Sequence, residues 1–174
     1  MATRKSMWVI FGILIISAWV LGSAIQAGAE TMKCRFAVTG TKNETISVAD
    51  QEGHLLGVTI LEGLAFFENG EIAKIRAHAI YDFIPGKGAQ AIVYHIYTFD
   101  DGSTIVTRIQ RLIAPGQSGP LSATSTGELI KGTGRFEGIK GTLSATGKAF
   151  PPRTEGEHER NVNDVTFTYT LPTK

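Results

Sequence analysis

From residue 33 to the C-terminus the chain alternates apolar and polar residues in run after run, and the runs end at glycine, proline or an Asp/Asn turn. Successive side chains of a strand point to opposite faces, so a period of two builds half-buried strands rather than helices. The runs predict strands at 33–40, 55–67, 71–84, 89–99, 103–114, 121–130, 139–149 and 163–171. Eight strands is the number that closes a small barrel whose interior is filled by side chains or holds one small ligand. Glu68-Asn69-Gly70 and Asp100-Asp101-Gly102 read as hairpin turns, with glycine where a positive φ is wanted. The segments from Pro85 to Gly88 and from Pro115 to Pro120 are longer breaks outside strand interiors. After the first 29 residues no stretch of ten shows a 3.6-residue period, so crossover helices, and with them a parallel sheet, are not expected. The fold class is therefore all-β, an eight-stranded antiparallel up-and-down barrel.

Alternation also assigns faces. Val165, Phe167, Tyr169 and Leu171 oppose Asp164, Thr166, Thr168 and Thr170, while Ile139, Gly141, Leu143, Ala145 and Gly147 oppose Lys140, Thr142, Ser144, Thr146 and Lys148. In 71–84 the set Lys74, Arg76, His78, Asp82 alternates with Ala73, Ile75, Ala77, Ala79, Tyr81, Phe83, which makes the polar set a solvated outer surface.

Residues 1–29 follow another logic. A short basic start (Arg4, Lys5), an apolar stretch from Met7 to Leu21 and small residues ending in Ala27-Gly28-Ala29 have the layout of a secretory signal peptide cleaved before Glu30. An uncleaved anchor is the alternative, since Met7–Ile25 approaches membrane-spanning length. Either reading exports the domain formed by residues 30–174, to the periplasm or beyond. Removing the leader takes the formal charge from +1 to −1, because it holds two basic and no acidic side chains. A near-neutral remainder offers no electrostatic footprint for nucleic acid or for an anionic membrane surface. A single cysteine, Cys34, excludes an intramolecular disulfide framework and multi-cysteine zinc motifs, and reads as a small buried hydrophobe.

The run Lys131-Gly-Thr-Gly-Arg-Phe-Glu-Gly-Ile-Lys-Gly-Thr142 resembles the late glycine-rich turn of allene oxide cyclases and, more distantly, of dirigent proteins. Gly53-His-Leu-Leu-Gly-Val-Thr-Ile60, the run from Ala91 to Ser103 and Phe167-Thr-Tyr-Thr-Leu171 extend the similarity over residues 33–171. The chain looks like an exported, bacterial-type member of the allene oxide cyclase barrel-like group. The resemblance implies the same barrel and a small molecule handled in its interior. The stretch Cys34–Glu44 does not reproduce the acidic pattern of the plant cyclases, so no catalytic residue is carried over. Independently of any family, Gly132, Gly134, Gly138 and Gly141 permit a tight turn with close backbone approach, and Phe136 and Ile139 can plug one end of a barrel.

Two groups stand out as candidate proton-transfer residues. His95 shares the register of Val93, Tyr97 and Phe99, which turns its imidazole inward as a core or rim histidine or as an acid/base. Glu62 lies between Leu61 and Gly63 in an apolar strand; inward it demands a partner such as Arg76 or Arg108, outward it is a rim carboxylate. Arg76, Tyr97 and Arg108 are the candidate ligand contacts. Glu155-Gly-Glu-His-Glu-Arg160 concentrates carboxylates around His158, but contiguous loop residues do not converge on one ion, so no metal is expected; with no P-loop and no dinucleotide fingerprint, no cofactor is expected either.

Three readings remain open. The first is an exported barrel that binds a small apolar or amphipathic molecule non-covalently. The second is a cofactor-free isomerase or cyclase acting in the cavity, which needs Glu62 or His95 inside beside another polar group. The third is a structural module that forms a homo-oligomer, which a filled barrel with an exposed apolar patch favours.

Overall fold

The computed structural model describes residues 28–116, 119–152 and 157–173. The expected leader, 1–29, lies almost wholly outside the described residues, as do Glu155 and Gly156 of the acidic loop.

Eight strands follow one another: β1 (Glu30–Ser47), β2 (Leu55–Phe67), β3 (Ile72–Ile84), β4 (Gly88–Phe99), β5 (Thr104–Ile113), β6 (Leu121–Thr133), β7 (Lys140–Phe150) and β8 (Arg160–Thr170). Each pairs antiparallel with the next, and β1 pairs with β8 through Cys34↔Val165 and its neighbours, so the sheet closes into a barrel. The only helical element among the described residues is a 3-10 turn, Gly134–Phe136. The all-β up-and-down barrel expected from alternation is the fold observed.

β1 departs most from expectation, running to Ser47 rather than stopping at Gly40. The β1–β2 register shifts between Gly40 and Lys42, and past that bulge the strand pairs only with β2, its side chains exposed. A strand arm with nothing to bury carries no apolar alternation, which is why the sequence pattern ends where the core does.

The inward residues make two unlike halves. At the end carrying the 68–71, 100–103 and 134–139 turns, Phe67, Tyr97, Phe99, Phe136 and Phe167 form a continuous aromatic core, with ring centroids 5.1 Å apart for Phe67–Phe99, 5.0 Å for Phe99–Phe136 and 5.6 Å for Tyr97–Phe167. Phe136 and Ile139 are buried there, as the plug reading expects. Gly134 (φ 62°) and Gly138 (φ 74°) shape the turn in the left-handed region that favours glycine. Arg135 closes this end: its guanidinium lies 4.7 Å from the Phe99 centroid and 4.8 Å from that of Phe136, and it pairs with Glu71 at 2.6 Å.

Cys34 faces the interior of β1, and burial, with the nearby Asp164 charge, pushes its thiol up to about 12. The thiolate is the reactive form. A thiol reagent such as dithionitrobenzoate at pH 8 is therefore expected to leave the native chain unmodified and to label it fully in denaturant; labelling of the native chain at the rate of free cysteine would show that β1 opens from β8.

The outer surface carries exposed apolar side chains, three of them in a row across neighbouring strands. Val58, Ile80 and Ile92 are mutual cross-strand partners on β2, β3 and β4 and all three are exposed.

Candidate functional site

At the other end the inward positions shrink. β3 and β4 place Ala77, Ala79, Ala89 and Ala91 where the packed half has aromatic rings, and β7 places Ala149 there beside its last residue. Eight strands set a fixed diameter, so small side chains leave space. The result is a cavity of about 490 Å³, open at the rim formed by Pro151, Pro152 and Glu157–Glu159 and floored by Phe36 and His95. That volume lies in the range of small-molecule sites.

Its two walls differ chemically. Leu55 and Leu61 of β2, the alanines of β3 and β4, and Val93 make an apolar wall. Across the lumen, Arg111 of β5 reaches β8: Nη1 donates to Asn163 Oδ1 at 2.8 Å and Nη2 to Asn161 Oδ1 at 3.1 Å. Asn161 Nδ2 in turn donates to Glu159 Oε1 at 2.8 Å, and the Glu159 carbonyl accepts from the Gly40 amide at 2.7 Å. At the rim His54 contacts Asp50 Oδ1 (2.6 Å) and Asp82 Oδ1 (2.9 Å); the Asp50 contact raises its pKa most, and the clasp ties the loop before β2 to β3.

His95 is 5% exposed, its ring set edge-on to Phe36 (5.3 Å) and Tyr97 (5.9 Å). Its Nδ1 has no partner among the described residues, and neither has the Tyr97 hydroxyl. Burial, assisted by the positive field of Arg111, pushes the imidazole down to about 3. It is thus neutral and weakly basic, far from the near-neutral pKa that suits a general base. Below its ordinary value of 6.5 the unfolded chain binds a proton at His95 that the native barrel refuses, so stability falls with falling pH down to about 3, at about 1.4 kcal/mol per unit. Wild type is expected to lose about 3 kcal/mol between pH 6.5 and about 4 that a His95→Leu chain keeps. Denaturant titrations across that range check it; equal slopes would mean that the imidazole is hydrated.

The remaining sequence candidates are not brought into the cavity. Glu62 projects outward and pairs with Arg76 (Oε1 to Nε, 3.2 Å), its cross-strand neighbour, a half-exposed ion pair worth little. Arg108 is on the outer parity of β5, opposite to Ile105, Thr107, Ile109 and Arg111. Tyr97 does face inward, but below the cavity, inside the aromatic core. The polar wall, Arg111 with Asn161 and Asn163, is what residue-type reasoning misses. Register carried the signal: Arg111 shares the inward parity of Ile105, Ile109 and Ile113, and the two asparagines that of Val165 and Phe167. Among the described residues no three of His, Cys, Asp and Glu converge as metal ligands.

Fold and site together define a class: a closed up-and-down β-barrel, packed with aromatic side chains at one end and hollow at the other. Two similar solved structures are of dirigent proteins. The pterocarpan synthase dirigent protein GePTS1 aligns over 84% of this chain and 88% of its own at 15% identity and a TM-score of 0.47, and the pterocarpan synthase dirigent protein PsPTS1 over 82% and 97% at 15% and 0.44. No family model and no curated protein matches the chain. No residue role is carried over from either dirigent protein.

Proposed function

We propose that this protein is an exported barrel that takes up one small apolar or amphipathic molecule, without a covalent step, through its open end. The observation that carries the reading is the cavity of about 490 Å³, with an alanine-lined apolar wall facing a short polar one. An isomerase reading has less support, since Glu62 is outside and His95 is too weak a base; a purely structural reading has less, since half the interior is hollow. Export rests on the leader layout of residues 1–29.

Titration with the neutral apolar fluorophore N-phenyl-1-naphthylamine tests the central reading. Saturable enhancement at one probe per barrel is expected, and none, or a linear unsaturated rise, overturns it. Cleavage has its own test: both tryptophans, Trp8 and Trp19, lie in the leader, so the mature, purified chain is expected to lack indole fluorescence, and indole emission from it would overturn cleavage.

A further inference from the structure

The polar wall carries a buried cation, Arg111, that no carboxylate among the described residues contacts directly. Arg111 is 7% exposed, and both groups holding it are neutral amide oxygens. No carboxylate forms an ion pair with it among the described residues; Glu159, whose charge partly offsets the desolvation of Arg111, hydrogen-bonds Asn161 instead. A guanidinium has five N–H donors and the two asparagines accept from two of them. Burying a cation without a counter-charge costs several kcal/mol unless something repays it.

A second observation points the same way. Asn163 is 1% exposed and, with Oδ1 committed to Arg111, leaves its Nδ2 donor with no partner among the described residues. Donor surplus and the Arg111 charge therefore meet on one wall of the cavity, below the Glu157 and Glu159 carboxylates of the rim, and the wall opposite is mostly apolar, with Thr59 and the Tyr81–Asn43 hydrogen bond as its polar groups. A neutral apolar ligand would satisfy the second wall and leave the first as it is. A cationic ligand would be repelled by Arg111.

Deepening the ligand-binding reading above, on which this rests, we propose that the ligand is an apolar molecule bearing a carboxylate or comparable oxyanion, which seats on Arg111 and Asn163 Nδ2 while its apolar body lies along Ala77, Ala79 and Ala91. The planar guanidinium suits such a group because it offers parallel donors to two oxygens at once. Position fits as well: Arg111 lies one inward residue below Ile113 at the rim of β5, so the anion sits part-way down the cavity and the body reaches toward Phe36 and His95.

The test uses a matched pair, 2-naphthylacetate and 2-naphthylacetamide, each competing with N-phenyl-1-naphthylamine on the full barrel. The acid is expected to bind at least about tenfold more tightly than the amide, the size of one good charge-assisted hydrogen bond. The preference is expected to vanish in Arg111→Met. In case that chain does not fold, Asn163→Asp, which keeps side-chain shape and supplies Arg111 with an internal counter-charge, is expected to remove it too. Equal or weaker binding of the acid by a wild-type barrel that does bind the fluorophore overturns this proposal and leaves the cavity reading standing, as does a preference unchanged in both variants. A barrel that binds no fluorophore overturns both.

Discussion

Replacing Ala79 and Ala91 together by phenylalanine is expected to abolish ligand uptake and leave the barrel folded. The two residues face inward on β3 and β4 and are diagonal neighbours, since Ala79 pairs with Val93 and Ala91 with Tyr81. Both line the cavity, so the added rings enter open space rather than the aromatic half. Overpacking usually costs stability because a filled core must move; here the new rings bury apolar surface in a hollow, in strands where phenylalanine is favoured. Affinity for N-phenyl-1-naphthylamine is expected to fall more than about a hundredfold, equivalent to ~2.7 kcal/mol, with circular dichroism and the denaturation midpoint kept or raised. Unchanged affinity in a folded double variant would place the probe elsewhere.

In the packed half the sign is reversed. Phe167→Ala is expected to cost about 3–5 kcal/mol, a large share of the roughly 5–15 kcal/mol that holds a domain together. Phe167 is 0% exposed and sits edge-on to Tyr97 at 5.6 Å and stacked with Phe67 at 6.4 Å, so truncation opens a void bounded by rings that backbone hydrogen bonds hold in place. A lower urea midpoint at an unchanged slope is the expected signature. A cost below about 1 kcal/mol would mean that this half can collapse around the gap and is not the rigid part of the barrel.

The architecture was legible because a closed antiparallel barrel imposes one rule, inward–outward alternation, and the later strands obey it with few exceptions. Phe167, Tyr169 and Leu143 were placed by that rule alone, and so were His95 and Tyr97. Glu62 was harder to place because β2 is apolar on both faces: Val58, Leu64 and Phe66 are exposed, Leu61, Ala65 and Phe67 buried, so composition cannot say which way the carboxylate points. The choice between Arg108 and Arg111 needed the register of β5, where three isoleucines mark the inner face and Arg111 shares it. The cavity itself had a faint trace in the sequence, as alanines at inward positions of β3 and β4. A small residue reads equally well as close packing or as space; only the diameter fixed by eight strands decides between them.

Where a bound molecule sits can be read directly from backbone amide chemical shifts of the labelled barrel during titration with N-phenyl-1-naphthylamine. Binding in the cavity gives the largest shifts at inward residues of the open half, Thr59, Ala77, Ala91, His95, Arg111 and Asn163, with Phe99 and Phe136 at the closed end unmoved. Shifts centred on the exposed row Val58, Ile80 and Ile92, with the cavity residues silent, would contradict it and make the outer face of the barrel the binding surface.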